Sequence, residues 1–228
     1  AVRVTDTAAA SNIGTSTVTV NNVAPTVNAV VGPDNGVRGQ PLNFTGSFTD
    51  PAAADTHVVS WDFGDGTVIA SHPSTDSGAL TPSHAFAATG VYTVRITVQD
   101  DDGGSNFAEK TVTITAIGLQ SDPLNPGMTM LVVGGTTSAD LITLRRDRKT
   151  GAIFVAINAV ESGPFNPTSR INVYGQDGND QILLSRTIRL SALLDGGAGD
   201  DTIQGGYGTN ALVGGTGTDQ IRGSRGRD

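Results

Sequence analysis

Apolar and polar residues alternate along most of the chain, in short segments separated by glycine, proline and aspartate. The clearest case is residues 91–98, where every second residue, from Tyr92 to Val98, is large and apolar. A period of two is typical of a half-buried strand in an antiparallel sheet. Segments of the same character predict strands at residues 26–31, 42–48, 58–63, 91–98, 110–115, 128–133, 141–145, 153–157 and 171–174. The pattern therefore predicts an all-β protein.

Toward the C-terminus the period changes from two to nine. Glycine recurs every nine residues from Gly196 to Gly223, and residues 196–204 and 214–222 both fit G-G-x-G-x-D-x-U-x, where U is a large aliphatic residue. Residues 205–213 carry Asn210 in place of the aspartate, and residues 175–183 lack only the second glycine. Residues 135–143 are a fainter copy. A flexible glycine-rich linker would not place aspartate two residues before an aliphatic residue in four of these five units.

Composition also favours strands and tight turns over helices. Glycine accounts for 30 of 228 residues, aspartate supplies 20 of the 22 acidic residues and arginine 12 of the 14 basic ones. Glutamate and lysine, which favour helices, are almost absent. Aspartate is common in turns, and its carboxylate is a hard oxygen ligand suited to calcium.

Several classes of function are excluded by residues that the sequence lacks. It has no cysteine, which removes disulfides, thiol catalysis and cysteine-type zinc sites. The net charge of −8 disfavours nucleic acid and anionic membranes as partners, and no apolar run is long enough for a membrane span. The motifs H-E-x-x-H and G-x-S-x-G do not occur. We therefore expect a protein that is not an enzyme.

The first 20 residues are similar to residues 95–114. Without gaps, seven of 20 positions are identical at an offset of 94, including Ser11-Asn12 with Ser105-Asn106 and the Thr-Val-Thr at 17–19 with that at 111–113. The similarity indicates an internal repeat. We interpret residues 1–23 as the remnant of a preceding repeat and its linker, and expect them to be loosely held because two strands bury no core alone.

Residues 61–67 read W-D-F-G-D-G-T, with Asp50-Pro51 before them and His84-Ala85-Phe86 after them. These features resemble those of polycystic-kidney-disease (PKD) domains, and the resemblance covers residues 24–116. It implies an immunoglobulin-like β-sandwich of a kind found mostly in tandem on extracellular proteins. The motif has two interpretations, ligand contact or a core plug followed by a hairpin, and Trp61 and Phe63 favour the core plug.

Two other polar groups in this segment have alternative interpretations. Residues 100–102 are three aspartates, which form either a solvated turn or a calcium site of the kind that some PKD domains carry at their ends. His57, His72 and His84 lie on separate segments without metal-ligand spacing, so we expect no zinc site. His84 is expected to pack beside Trp61 or to bond to a loop.

The nine-residue units resemble the repeats-in-toxin (RTX), or hemolysin-type, calcium-binding repeat. The resemblance implies a parallel β-roll over residues 175–228, entered through a strand-rich leader at 117–174, with calcium held between loops of successive turns by carboxylates and backbone carbonyls. Two units make one turn, so Asp201 is expected over Asp219, with Asp180 on the same side and Asn210 and Asp228 on the other. The implied metal-site residues are Asp180, Gly197, Gly199, Asp201, Gly215, Gly217 and Asp219, with weaker candidates at Gly178, Asp200, Asn210 and Asp228.

These features together predict a non-catalytic, calcium-binding extracellular module, secreted or on the cell surface, within a long multidomain bacterial protein. Its expected role is adhesion or surface display, with surface polysaccharide or protein as partner. The alternative is an accessory, substrate-binding region of a secreted protease or glycosidase whose catalytic domain is missing here. A plain spacer is a third interpretation.

Overall fold

The structure, a computed structural model, describes residues 2–5, 11–14, 21–52, 55–74 and 80–223. The described residues form strands and turns without a helix, which confirms the predicted all-β class. Accordingly, none of them belongs to a helix long and apolar enough to cross a membrane. At the N-terminus, β1 (Val2–Thr5) pairs antiparallel with β2 (Ser11–Gly14).

Residues 26–115 form a two-layered β-sandwich. Its strands are β3 (Thr26–Val27), β4 (Asn35–Val37), β5 (Leu42–Asn43), β6 (Phe48–Thr49), β7 (His57–Asp62), β8 (Val68–Ser74), β9 (Ser83–His84), β10 (Gly90–Asp100) and β11 (Ser105–Thr115). One layer is the sheet β4-β11-β10-β7-β8, and the other consists of the short pairs β3-β6 and β5-β9 with two isolated bridges. Side chains from both layers meet in one hydrophobic core.

The aromatic residues of the W-D-F motif lie in that core. Trp61 and Phe63 are 2% and 1% exposed, and their rings stack at 6.5 Å. His84 stacks on Phe63 with ring centroids 4.1 Å apart. Its Nε2 is hydrogen-bonded to Oδ2 of Asp65, in the turn after Phe63, at 2.7 Å. The core-plug interpretation of the motif is therefore confirmed, because these side chains have almost no surface left for a ligand.

The N-terminal hairpin has the same strand register as the hairpin of β10 and β11. Val2 pairs with Gly14 and Thr5 with Ser11, and adding 94 to each number gives the observed pairs of Ile96 with Ala108 and Gln99 with Ser105. The sequence similarity is thus matched by an identical pairing. Residues 6–10 and 15–20, on which part of the predicted repeat falls, lie outside the described residues.

Residues 117–222 form a β-roll of two facing sheets. Its strands are β12 (Ile117–Ser121), β13 (Thr129–Gly134), β14 (Leu141–Arg146), β15 (Ile153–Ile157), β16 (Val160–Phe165), β17 (Arg170–Asp177), β18 (Gln181–Leu184), β19 (Ser191–Ala198), β20 (Thr202–Gln204), β21 (Asn210–Thr216) and β22 (Gln220–Arg222). The first sheet has the order β12-β13-β17-β19-β21 and the second β16-β15-β14-β18-β20-β22. The pairs from β13 to β21 and from β14 to β22 are parallel, as successive turns of a roll require.

The roll begins well before the predicted boundary at residues 174 and 175. Strand β17 crosses that boundary, and Leu131, Ile142 and Val155 share one buried cluster with Ile182 and Ile203. The segment predicted as a leader is therefore the first turn of the roll. Its nine-residue period is hidden because the hairpin β15–β16 is inserted into that turn.

The sandwich and the roll are in contact near the start of the roll. Val37 packs with Met130, Val132 and Tyr174 in a small buried cluster. Arg38 of the sandwich donates from Nε to the carbonyl oxygen of Gly134 at 2.8 Å. The loops that follow β13 and β17 therefore lie next to the sandwich.

Candidate calcium site

Four loops stack along one edge of the roll, each joining a strand of the first sheet to a strand of the second. They occupy residues 135–140, 178–180, 199–201 and 217–219, and each ends in an aspartate. The backbone N–H of Asp140 donates to Oδ1 of Asp180 at 2.7 Å, that of Asp180 to Asp201 at 2.8 Å, and that of Asp201 to Asp219 at 3.0 Å. One oxygen of each of the last three carboxylates is thus fixed by the loop before it.

The second oxygens of two of these carboxylates are buried without a hydrogen-bond donor. Asp180 and Asp201 are each 1% exposed, and no described residue donates to Oδ2 of either. A Cβ added to Gly196 would lie 2.2 Å from Oδ2 of Asp201 and 2.6 Å from the carbonyl oxygen of Gly214. Both of these oxygens therefore lie beside the Cα of Gly196. Buried polar atoms in native proteins nearly always have a partner, so this convergence of oxygens points to a bound cation.

The next glycines in each unit allow the loops to approach closely. Gly197 and Gly215 have φ of +100° and +105°, a conformation that favours glycine. A Cβ on Gly215 would overlap the carbonyl oxygen of Gly197, and one on Gly217 would overlap that of Gly199. The predicted glycines therefore have a structural role in bringing successive loops together, and ligation of calcium by their carbonyl groups stays a prediction.

The electrostatics of the stack disfavour ionised carboxylates unless a cation is present. Burial raises the pKa of Asp180 to about 6, and the carboxylates of Asp140, Asp201 and Asp177 add to the rise, although the N–H of Asp140 opposes it. Burial also raises the pKa of Asp201, with a contribution from Asp219. A divalent ion would reverse both effects by replacing repulsion with attraction.

Calcium fits this donor set. Calcium takes six to eight oxygen ligands in flexible geometry, from carboxylates and backbone carbonyls. The stack offers both kinds of oxygen, and two of its carboxylate oxygens have no donor among the described residues. Asp180, Asp201 and Asp219, with carbonyl groups of the adjoining glycines, are the groups that would hold it.

The weaker candidates differ in where they lie. Asp200 is exposed, and its Oδ1 accepts the N–H of Thr218 at 2.7 Å on the outer side of the loops. Asn210 lies on the opposite edge, where its Nδ2 donates to the carbonyl oxygens of Gly206 and Gly208 at 2.9 Å each. Gly178 is within the stack, with φ of +117°. Asp228 lies outside the described residues.

The structure adds residues that the sequence analysis did not select. The first glycine of a unit, as in Gly196 and Gly214, contributes a carbonyl oxygen beside a buried carboxylate. The sequence signal for this first glycine is its recurrence every nine residues. Asp140 heads the ladder but differs from the others, since Asn158 Nδ2 donates to its Oδ1 and Thr136 donates to its Oδ2.

A second group of acids lies at one end of the sandwich. Oxygens of Asp50, Asp55 and Asp100 lie within 4.8 Å of one another. Asp100 is 4% exposed and accepts hydrogen bonds from the N–H of Gly104 and from Asn22, so of the two interpretations the solvated turn fits only the exposed Asp101 and Asp102. Asp50 likewise accepts bonds from the protein. Because Asp50 and Asp100 both have protein donors, this group lacks the orphaned oxygens of the roll.

Family models match two parts of the chain. The model described as a PKD domain matches residues 22–116. The model described as the RTX calcium-binding nonapeptide repeat, in four copies, matches residues 194–228. The unit at residues 175–183 precedes the second match, yet its aspartate belongs to the same hydrogen-bonded ladder.

Curated relatives include two collagenases. Collagenase ColQ1 of Bacillus cereus (strain Q1) is 36% identical over 107 residues, which is 46% of this chain and 10% of that protein. Microbial collagenase of Vibrio alginolyticus is 29% identical over 168 residues, which is 72% of this chain and 18% of that protein. The chain thus spans less than a fifth of the length of either relative.

Solved structures that match include two PKD domains. The PKD domain of an M14-like peptidase from Thermoplasmatales archaeon SCGC AB-540-F20 is 29% identical, with a TM-score of 0.36, and covers 41% of this chain and 98% of its own. The PKD1 domain of Vibrio anguillarum Epp is 26% identical, with a TM-score of 0.32, and the match covers 41% of this chain and 96% of that domain. On the two family matches, the chain contains a PKD domain at residues 22–116 followed by RTX calcium-binding nonapeptide repeats at residues 194–228.

Proposed function

We propose that this chain is a non-catalytic extracellular module whose roll becomes rigid when calcium binds between the loops ending in Asp180, Asp201 and Asp219. The observation that carries the proposal is the pair of buried Oδ2 atoms, on Asp180 and Asp201, that have no donor among the described residues. A buried carboxylate without a partner is costly, and a bound cation removes that cost.

The glycine-rich loops of the roll have much conformational entropy to lose, and a nine-residue unit buries one large aliphatic residue in return, as at Ile182 and Ile203. Binding an ion between loops couples ligation to folding in this region.

The setting that the comparisons favour is an accessory region of a larger secreted protease. Two of the matching relatives are collagenases, and the chain spans only a tenth to a fifth of each. In such a setting, the sandwich and the roll would hold or position other domains or engage the substrate. Adhesion or surface display stays a prediction that no observation on this chain favours over the accessory role.

Calcium titration of the full chain tests the proposal. We expect saturable binding with a Kd of about 10⁻⁴–10⁻³ M, the range of extracellular calcium modules. Isothermal titration calorimetry of the native chain and of Asp201→Asn with Asp219→Asn gives the result directly. Unchanged binding in the double variant would place the ion elsewhere, and Asp50→Asn is the matched control for the acidic group of the sandwich.

A further inference from the structure

A cavity of about 510 Å³ lies at the edge of the roll opposite the calcium loops. Its walls come from the segments that interrupt the nine-residue period: the start of the inserted hairpin, the return segment at 166–168, and the loop at 185–190, where one unit is three residues longer than the others. The regular loop at 205–209 contributes no residue to its lining. The cavity is thus a product of the insertions and not of the calcium-binding repeat.

Two arginines from different interruptions line this cavity. Arg146 ends β14, and its guanidinium lies over Gly151, where a Cβ would come within 2.8 Å of it. Arg189 lies in the extended loop, with its guanidinium 5.4 Å from the ring centroid of Tyr207. Neither forms an ion pair with any residue that the structure describes. Both guanidinium groups therefore have donors available for an anion.

The charges of the roll are segregated between its two edges. The stacked aspartates occupy the calcium edge, whereas the opposite edge carries Arg146, Arg148, Lys149, Arg186 and Arg189. Two acids do lie on this edge, but both are occupied: Asp147 accepts three hydrogen bonds within its own turn, and Asp122 pairs with Arg170 at 2.8 Å. This edge therefore attracts anions although the whole chain has a net charge of −8.

We propose that this cavity binds an acidic peptide segment, with one or two carboxylates on Arg146 and Arg189 and a neighbouring aliphatic side chain on the floor. The apolar surface available to a ligand is that of the half-buried Pro167 and Leu190, since Ile153 and Ile188 are 3% and 0% exposed. A planar guanidinium binds a carboxylate in bidentate geometry, which gives orientation as well as attraction. The amide of Asn166 at the rim adds a polar contact for peptide backbone.

An acidic polysaccharide is the competing ligand, and the lining disfavours it. Sugar rings present flat faces that stack on aromatic side chains, and none of the residues lining the cavity is aromatic. Aliphatic walls with a few convergent polar groups are better suited to an aliphatic side chain beside a carboxylate.

In the test, the blocked peptide Ac-Ala-Asp-Leu-Asp-Ala-NH2 is titrated into the full chain with saturating calcium, and binding is monitored by NMR. We expect shifts in the amide signals of residues 146–151 and 187–190, a Kd at or below about 1 mM, and weaker binding as salt is raised. Arg146→Gln and Arg189→Gln should each weaken binding about tenfold. Arg148→Gln, in the same hairpin but outside the lining, is the matched control and should change Kd less than about twofold.

Several results would overturn the proposal. They are no binding of the peptide at about ten times the expected Kd, equal binding of the peptide with asparagine in place of aspartate, and an equal loss in Arg148→Gln. Saturable binding of polygalacturonate that displaces the peptide and depends on Arg146 and Arg189 would assign the cavity to a polysaccharide instead.

Discussion

In the sandwich, the buried carboxylates of Asp50 and Asp100 accept hydrogen bonds from the protein, whereas in the roll Asp180 and Asp201 each keep an oxygen without a donor among the described residues. The sandwich core is also aromatic, and the roll core is built almost wholly of aliphatic residues. The described part of the sandwich therefore supplies donors to these carboxylates, while in the roll the proposed calcium ion would take that place. On the proposed function, two β domains in contact would thus have different requirements for stability.

Removal of calcium should produce the largest effect and should separate the two domains. Trp61 is the only tryptophan and lies in the sandwich core, so its fluorescence reports the sandwich alone. On chelation, we expect the β signal in circular dichroism to fall as the roll unfolds, with the emission of Trp61 unchanged. An unchanged β signal, or a parallel change in the tryptophan emission, would contradict the comparison.

Trp61→Ala should destabilise the sandwich by about 3–5 kcal/mol, the range for deleting a large core side chain. Calcium affinity should stay the same, because the residue lies outside the roll. Urea unfolding followed by circular dichroism, with a parallel calcium titration, measures both quantities. Val91→Ala is the control, since Val91 is 69% exposed and should change stability by less than about 0.5 kcal/mol. A loss below about 1 kcal/mol for Trp61→Ala would contradict its place in the core.

Asp201→Asn should change the apo and calcium-bound forms in opposite directions. The amide keeps an oxygen for the N–H of Asp180 and gains a donor beside the carbonyl oxygen of Gly214. Without calcium the roll should gain about 1–2 kcal/mol, and calcium affinity should fall at least about tenfold. Asp200→Asn, exposed in the same loop, should change neither by much. A less stable apo roll in Asp201→Asn would show that the buried carboxylate is satisfied without an ion.

The apo roll should lose stability as pH rises from about 4 to about 7. In the unfolded chain Asp180 ionises near its ordinary pKa of 3.8, while burial holds its pKa at about 6 in the folded apo form. Between these values the folded state binds the extra proton, so rising pH favours unfolding, by up to about 3 kcal/mol. With saturating calcium this loss should disappear. Urea midpoints at several pH values, with and without chelator, measure the difference, and a flat apo profile would contradict it.

Gln176→Gly should give the smallest effect and should test the contact between the domains. Gln176 has φ of +81° where the repeat has glycine, and its Nε2 donates to the carbonyl oxygen of Ala87 in the sandwich at 3.2 Å. Glycine should relieve about 1 kcal/mol of backbone strain in the roll. It should also remove the hydrogen bond to Ala87, so the melting temperature of the sandwich in saturating calcium, measured by Trp61 fluorescence, should fall slightly. An unchanged melting temperature would show that Gln176 does not stabilise the sandwich, and Gln99→Ala, exposed at the far end of β10, is the control.

Much of the calcium edge could be predicted from the sequence, because its determinants are local. The glycines at 196–199 and 214–217 and the aspartate before each aliphatic residue encode one loop after another, and the resemblance to the calcium-binding repeat, with two units in each turn, implied the stacking of Asp180, Asp201 and Asp219. The burial of Trp61 and Phe63 could likewise be predicted from the short W-D-F-G-D-G-T motif. In each case the physical cause lies within about nine residues of the signal.

The tertiary structure alone decided which distant segments become neighbours. Asp140 joins the ladder across 40 residues because the inserted hairpin β15–β16 returns the chain to the next turn, and this moved the start of the roll far ahead of residue 175. The buried Asp100 and the cavity between Arg146 and Arg189 arise in the same way, from loops whose sequences carry no common period. Periodicity specifies what each turn of the roll looks like, whereas packing of the inserted segments on the shared core determines what lies beside it.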